Sequence, residues 1–461
     1  MNASRSLAVV AGVACLFLAE TNAAQLLAQG QDTTQRHATA ALPLQLTLQG
    51  ALDRARRNST QFQSALTTAA LAREDRTQAR DALLPSVTYN NSVSYTQGTG
   101  AGGQASGGTT PVFIANSAAH EYVSQANVHE AVDLVAIQNY RRASAAAAVA
   151  RAQAEIASRG LVVTVVRNYY TVAAVQEKVK IARQMNEEGK TFLKITQDLE
   201  RGGEVAHSDV IKADLQMQDR KRQLQEAELA LLSARLDLAV LIFPDFNDKF
   251  EVQDDLHVTI PIPTLDEVQQ QAASDNPDVE AALAAVREAG RDVAAARAAY
   301  LPPLTMDYFY GIDATHFAVN SVVERRKFSN LGSSIVGTLN IPIWGWGTTQ
   351  SRVKQADFRR GQAGRELSLR QRKLLSDIRS MYSEAATALQ ELNGLRRSAE
   401  LAEESLRLTT LRYKSGEGKV LEVVDAQTTF SSANSAYQDG AARYWVALAS
   451  LQTLTGVLRI P

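Results

Sequence analysis

The sequence predicts a mainly α-helical fold of duplicated long helical hairpins, to which four amphipathic, membrane-type β-strands are joined. Three observations predict it. The chain repeats itself: Ala79-Arg80-Asp81-Ala82-Leu83-Leu84-Pro85-Ser86 recurs as Ala296-Arg297-Ala298-Ala299-Tyr300-Leu301-Pro302-Pro303, and Gly203-Glu204-Val205-Ala206-His207-Ser208-Asp209-Val210 aligns with Gly416-Glu417-Gly418-Lys419-Val420-Leu421-Glu422-Val423. The offsets, about 217 and about 213 residues, nearly agree, so one unit of roughly 200 residues is used twice, far longer than a solenoid repeat. Each copy also holds one very long helical stretch and two segments of strict apolar–polar alternation.

The elements follow in chain order. Arg5, the apolar run Leu7 to Leu18 and the small residues ending Thr21-Asn22-Ala23 predict a signal peptide over 1–23, too short to span a bilayer. The one cysteine, Cys15, lies inside that run, so the exported chain is expected to be free of thiols, as suits an oxidising compartment. Lipidation of Cys15 is the alternative, against which Gly12 stands where a branched aliphatic is wanted. Residues 24–46 are polar and unpatterned and predict a flexible lead-in.

The first repeat is placed at 47–243. Apolar and small residues at spacings of three and four predict a helix from Thr47 to Leu83, stopped by Pro85. Val87, Tyr89, Val93 and Tyr95 then alternate with Ser86, Thr88, Asn90, Ser92 and Ser94, the period of a strand. The glycine-rich segment 97–119 is expected to be a mobile loop, and a weaker strand carries Tyr122, Ala126, Val128 and Val132 against Gln125, Asn127 and His129, closing a hairpin over 86–132. From Leu134 to Glu200 only Gly160 and Gly189 interrupt the helical pattern, giving roughly 100 Å of rod at 1.5 Å per residue. Gly202 and Gly203 end it, and a helix over 208–241 follows, its free amides capped by Ser208 or a neighbour.

A linker over 244–263 leads to the second repeat, 264–461. Thr264 is expected to cap a helix running to Ala299, with Pro302 at its exit. Strand three sets Leu304, Met306, Tyr308, Tyr310 and Ile312 against Thr305, Asp307 and Asp313. A polar loop over 315–330 precedes strand four, in which Ile335, Leu339, Ile341 and Ile343 alternate with Ser334, Thr338 and Asn340, so the second hairpin covers 304–343 and includes Pro342. A second rod of about 100 Å runs over 348–413, turns at Lys414 to Gly418, and is followed by a last helix ending at Thr455-Gly456. Helices 47–83 and 208–241 together match the rod 134–200 in length, so stacked end to end they lie beside it in a palisade of parallel rods.

Composition excludes several function classes. Lys+Arg 48 and Asp+Glu 49 leave a net charge of −1, which suits no nucleic-acid partner. The six histidines (His37, His120, His129, His207, His257, His316) show neither metal-ligand nor triad spacing, and neither a P-loop nor a dinucleotide motif occurs, so no catalytic residue, metal or other cofactor is expected. Beyond the leader there is no apolar stretch of the roughly 18 residues a membrane helix needs, so any crossing falls to the strands. Their length, alternation and aromatic content (Tyr89, Tyr95, Tyr122, Tyr308, Tyr310, with Trp344) are those of outer-membrane barrel strands. Four strands cannot close a cylinder, and an open edge is not tolerated in lipid. Three copies related by cyclic symmetry give twelve strands, enough for a water-filled lumen, and the same operator arranges twelve rods into a helical tube.

Several segments carry a family resemblance. They are Leu46-Thr47-Leu48-Gln49-Gly50-Ala51-Leu52, the two Leu-Pro junctions at Pro85 and Pro302, Ile341-Pro342-Ile343-Trp344-Gly345-Trp346-Gly347, Arg412-Tyr413-Lys414-Ser415-Gly416 and Leu421-Glu422-Val423-Val424-Asp425-Ala426-Gln427. Through their order and spacing the chain resembles the TolC-like outer-membrane factor family over essentially its whole exported length. The resemblance implies a homotrimer in the outer membrane of a Gram-negative-type bacterium, with a twelve-stranded barrel and a periplasmic α-helical tunnel. An equatorial belt would involve 24–46, 243–263 and the C-terminal end. Helical tips at Gly202, Gly203, Gly416 and Gly418 would dock onto a periplasmic adaptor protein linked to an inner-membrane pump.

The resemblance further implies that Glu422 and Asp425, on one helix face by their i, i+3 spacing, ring the periplasmic aperture as a gate, and that Ser208, Asp209 and Tyr413 latch the tip. Acidic residues near a helix N-terminus also simply favour its dipole. Gly418 stands where a member of the family carries arginine, so either Lys419 substitutes or the tip is held more weakly. The first-half strand exit, Val128 to Asp133, lacks the proline seen at Pro342. The implied function is the passive exit duct of a tripartite efflux system. Two alternatives stay open: the exit duct of a type I protein secretion system, and an exported coiled-coil scaffold without a pore.

Overall fold

The computed structural model describes residues 44–95, 120–245, 249–253, 256, 258–314, 317–323 and 326–456. The signal peptide, Cys15, most of the lead-in and the loop 97–119 lie outside the described residues. The chain divides into two units, Met1–Leu44 and Gln45–Pro461. Only Leu44 of the first is described, and the architecture below is that of the second.

In chain order the elements are β1 (Leu44–Leu46), α1 (Leu48–Asn58), α2 (Thr60–Asp81), β2 (Ser86–Tyr95), β3 (His120–Val132), α3 (Leu134–Arg201) and α4 (His207–Ile242). Then come β4 (Phe250–Val252), α5 (Leu265–Asp275), α6 (Pro277–Ala298), β5 (Leu304–Ala314), β6 (Asn320–Val323), β7 (Arg326–Ser329), β8 (Leu331–Leu339), α7 (Thr348–Lys414) and α8 (Val420–Thr455). The two rods are continuous, with 68 residues in α3 and 67 in α7. Gly160 and Gly189 do not break α3, because each is a single weak former inside a rod packed along its length.

The half-length helices do stack end to end along the rods. Helices α2 and α4 both pack on α3, and Asn58 at the end of α1 donates its Nδ2–H to the Ile242 carbonyl at the end of α4, 2.6 Å away. Helix α6 packs between α3 and α7 toward the sheet, and α8 packs against both rods toward the turns.

Two helices predicted as continuous are broken. The helix placed over 47–83 divides at Ser59, whose extended backbone (ψ 109°) interrupts it and whose hydroxyl accepts from Phe62 N. The helix placed over 264–299 divides at Asn276, whose carboxamide caps Val279 N, with Pro277 at the first helical position. Thr264 caps α5 as expected, through a capping box with Glu267. Helix α4 begins at His207 with Ala206 as its N-cap and no side-chain bond, so the predicted serine cap is not used.

At the middle of the rods the helices converge on one apolar core. Leu46, Leu52, Tyr169, Tyr170, Leu238, Ile242, Phe250, Tyr444, Trp445 and Leu448 are all buried there. The polar tips of Tyr169 and Trp445 are satisfied by backbone of the connecting segments: Tyr169 Oη donates to Leu46 O (3.1 Å), and Trp445 Nε1 donates to Leu256 O (3.2 Å). Tyr170 and Trp445 stack with centroids 4.9 Å apart. Large buried aromatics thus anchor the helix ends where four half-length helices meet.

The two hairpins join into one antiparallel sheet in the order β2-β3-β5-β8, so β3 and β5 form the seam between repeats while β2 and β8 are its edges. The register keeps the apolar residues of all four strands on one face: Val87 lies opposite Val128, Val128 opposite Tyr308, and Tyr308 opposite Ile335. At the seam Gly311 faces Gln125 with φ +157°; a Cβ there would lie 2.3 Å from Ser124 O and 2.4 Å from Gln125 Cα. Only glycine permits that approach. Strand four ends at Leu339, short of the predicted Ile343, and residues 340–345 run irregularly through Pro342, which cannot donate to a ladder. The segment taken as a polar loop contains the two-stranded ribbon β6–β7.

Candidate functional site: the paired helical turns

The two turns that join α3 to α4 and α7 to α8 are built alike. Glu204 N donates to Leu199 O (2.9 Å) and Glu417 N to Arg412 O (3.0 Å), the long bond of a Schellman motif in each case. The left-handed residue the motif requires is Gly203 (φ +74°) in one and Gly416 (φ +80°) in the other. Gly202 ends α3 with an ordinary helical backbone. Gly418 lies on the turn so closely that a Cβ would be 3.0 Å from Tyr413 N, which leaves little room for a side chain there.

Tyr413 is buried, 3% exposed, at the end of α7. Its hydroxyl shares a hydrogen bond with Thr196 Oγ1 of α3 (3.1 Å), and its ring packs 5.1 Å from that of Phe192. Burial pushes the phenol above its ordinary range; the bond to Thr196 opposes this, and the nearby Asp209 charge adds to it. Asp209 itself pairs with Lys212 one turn on (3.2 Å), while Ser208 is exposed and makes no side-chain hydrogen bond among the described residues. Of the three residues the resemblance groups as a latch, the structure thus brings Tyr413 and Asp209 near each other and leaves Ser208 apart. The first turn is bridged by His207 Nδ1 and Glu200 Oε1, 2.7 Å apart.

Glu422, in the first turn of α8, lies 3.6 Å from Arg412 across the second turn. Asp425, one turn further on, is exposed with no ion pair among the described residues. Lys419, raised above as the substitute for the missing arginine, is the N-cap of α8 and forms no ion pair among those residues; Arg412 holds Glu422 instead. Thr196 and Phe192 were missed as tip residues because they lie on a rod, where helical spacing gives no sign of what faces them; Arg412 stands in the segment quoted at the second turn, without the pairing to Glu422. Arg220 of α4 was missed likewise. It is 2% exposed, and burial lowers its pKa against the opposing Asp219 and Glu188 charges.

No helix among the described residues is long and apolar enough to cross a membrane, and no three His, Cys, Asp or Glu side chains there converge on a metal position. Exposed apolar side chains run along one face of the sheet, where Val87 and Ile335 on its two edges are each 71% exposed, and others, such as Leu215 and Phe358, lie on the helices. Rods about 100 Å long are closed at one end by these tight turns and joined to an amphipathic four-stranded sheet that does not close on itself.

Comparison with known proteins agrees. The family profile described as outer membrane efflux protein matches residues 51–242 and 268–457. The chain belongs to that family. It is similar to the alkaline protease secretion protein AprF of Pseudomonas aeruginosa, 23% identical over 87% of this chain and 82% of the relative. It is also similar to the outer membrane protein TolC of Vibrio cholerae, 23% identical over 65% of this chain and 68% of the relative. Among solved structures the Campylobacter jejuni CmeC outer membrane channel aligns at TM-score 0.74 and 17% identity, covering 89% of this chain and 85% of that one. The open state of the Neisseria gonorrhoeae MtrE channel aligns at 0.70 and 21%, covering 89% and 88%. The protein is an outer-membrane efflux channel of the TolC type, a transport protein and not an enzyme, from a family that spans the outer membrane and extends into the periplasm.

Proposed function

We propose that this chain is the exit duct of a tripartite efflux system: a passive homotrimer whose periplasmic tip is opened by docking of an adaptor protein and an inner-membrane pump. One observation carries the reading. Among the described residues the four-stranded sheet leaves the outer edges of β2 and β8 unpaired and exposes an apolar face, so it is incomplete in lipid until neighbouring copies pair their edges. Three copies supply twelve strands, and the polar face of each sheet then lines the lumen. The export signal is removed near Ala23, and the repeats 47–243 and 264–461 each contribute two of the twelve strands, an equivalent sixth of the wall, with 24–46 and 244–263 at the equator. Glu422 and Asp425 form stacked carboxylate rings at the aperture, which attract cations and repel one another. The turns at Gly202, Gly203, Gly416 and Gly418 meet the adaptor, Tyr413 and Asp209 hold the tip at rest while Ser208 stays exposed at the start of α4, and the junctions at Pro85, Pro302 and Pro342 pass each helix into its strand or back.

A second reading has one specific observation in its favour: the relative AprF, matched over most of its length, is named for alkaline protease secretion. A secretion duct would share the same pore and differ in its adaptor and cargo.

Planar-bilayer recording tests the pore. The purified full-length protein is expected to give discrete cation-preferring channels, and Glu422→Gln with Asp425→Asn is expected to raise conductance or weaken cation preference. No channels at all would refute the duct, and an unaltered double variant would refute the gate. Identifying the co-purifying adaptor then separates efflux from secretion.

A further inference from the structure

The C-terminal turns of α2, at the other end of the molecule from the gate, gather positive charge in one place. Arg73, Arg76 and Arg80 recur at spacings of three and four residues, so they stand close together along one side of the helix. With Thr77, and with Tyr140 of α3 across from them, they line a hollow of about 160 Å³ between the two helices. The three arginines are exposed, while Thr77 and Tyr140 are half-buried and form the wall. The Thr77 hydroxyl is engaged with the Arg73 carbonyl (3.2 Å), which leaves the guanidinium groups and the phenol as the donors of the hollow.

Little of this charge is answered within the chain. Arg73 and Arg76 make no ion pair among the described residues, although Glu74 and Asp75 lie on the same turn, and Arg80 meets its neighbour Asp81 (2.8 Å) on the exposed surface. The positive field reaches Tyr140. Its phenol is held below the ordinary range by the hydrogen bond and charge of Arg76, then by a hydrogen bond from Ser144; burial opposes them, and the Arg80 charge adds a smaller push the same way. The packing of the repeat does not call for these arginines. At the offset of about 217 residues, Arg73, Arg76 and Thr77 correspond to Gly290, Val293 and Ala294 of α6, and Val293 is buried.

Three like charges drawn to one hollow repel one another, and an anion held among them reverses that cost. Guanidinium groups suit oxyanions in particular, because their paired N–H donors match the oxygens of a phosphate. The position is set by the chain: Arg80 stands six residues before Ser86, the first residue of β2, and Arg73 lies about 12 Å below the end of α2. The hollow is therefore on the helical side of the sheet, close to where the strands leave the membrane. We propose that Arg73, Arg76, Arg80 and Tyr140 form an oxyanion site that holds one phosphate group per protomer at the foot of the sheet. That group belongs to an anionic phospholipid of the adjoining leaflet or to a soluble phosphate; the recognition is the same for both. The assignment depends neither on the gate at Glu422 and Asp425 nor on which adaptor or cargo the duct serves.

Full-length protein, purified as its native oligomer in neutral detergent, tests it in two arms. Inorganic phosphate is titrated by phosphorus NMR line broadening. Dioleoylphosphatidylglycerol is titrated by native mass spectrometry against dioleoylphosphatidylcholine, whose phosphate charge its own choline cancels. Saturable binding at one site per protomer is expected in at least one arm, and Arg73→Gln with Arg76→Gln is expected to weaken it at least about tenfold. Arg73→Lys with Arg76→Lys, which keeps the charge and loses the fork, is expected to fall between. Arg222→Gln, an exposed arginine of α4 outside the hollow, is expected to change nothing. Binding of inorganic phosphate alone identifies a soluble ligand, and a preference of at least about tenfold for phosphatidylglycerol over phosphatidylcholine identifies a headgroup. No saturable binding in either arm would overturn the proposal on the unaltered protein alone. It would fall as well if the only binding were to both lipids alike, if the glutamine pair bound normally, or if Arg222→Gln lost as much as that pair. The substituted side chains are exposed, and an unchanged oligomer mass confirms that each variant is assembled.

Discussion

Gly311 shows how much one residue decides. The sheet joins the two repeats only along β3 and β5, and Gly311 is the position where those strands approach too closely for any side chain. Gly311→Val is expected to cost about 1–3 kcal/mol or more, by overpacking against backbone that cannot yield. Thermal unfolding followed by circular dichroism, with assembly scored by native mass, checks this; an unshifted Tm would show that the seam relaxes freely. Glu288 on α6 offers a test by pH. Burial holds its carboxyl above the usual carboxylate range, the Asp292 charge adds to this, and Arg142 opposes it. The folded state therefore disfavours the ionised form, and the residue's contribution to stability falls as pH rises through its folded range. Glu288→Gln should raise the Tm near neutral pH and leave it unchanged near pH 4, where the carboxyl is protonated. An equal gain at both would mean that the charge is not the cause.

At the scale of elements the informative features are the breaks. Ser59 and Asn276 are separated by the same offset of about 217 residues as the Leu-Pro junctions, and each ends one short helix while capping the next. Asn276→Ala, with Pro277 left in place, is expected to lower stability by about 1 kcal/mol through loss of the cap; a Tm within error of the unaltered protein would show that Pro277 alone sets the break. The helical period predicts α1–α2 and α5–α6 correctly as helical, because a single extended residue does not disturb the spacing of apolar positions around it. Asn276-Pro277 was a legible stop, since the residue before proline avoids the helical region. Ser59 carried no such sign by itself, and only its equivalence to Asn276 points to it. The end of β8 was misplaced for the opposite reason: Ile341 and Ile343 keep strand alternation although Pro342 between them has no hydrogen to donate.

At the scale of the molecule the unsatisfied object is the sheet. Its edge strands β2 and β8 and its apolar face are those of a fragment of a closed wall. Light scattering of the detergent-solubilised protein is expected to give a protein mass about three times that of a single chain, which is 49.9 kDa at full length. A monodisperse protomer that stays soluble without detergent would contradict the shared barrel. The surface ion pairs along the rods, such as Arg222 with Asp219 and Glu226, are exposed and contribute little to this assembly.

The sequence by itself determined the duplication, the lengths of the rods, the amphipathic character of the strands and the chemistry of the turns. Each of these rests on local period or on a residue type, glycine or proline, whose backbone preference travels with it. Only the tertiary structure decided that Tyr413 faces Thr196, that Arg412 and not Lys419 meets Glu422, and that Arg220 lies buried and reaches Thr428 of α8. Those facts depend on which faces of three or four separate helices are turned together. A helix of constant period presents every face equally to the chain, and only packing selects among them.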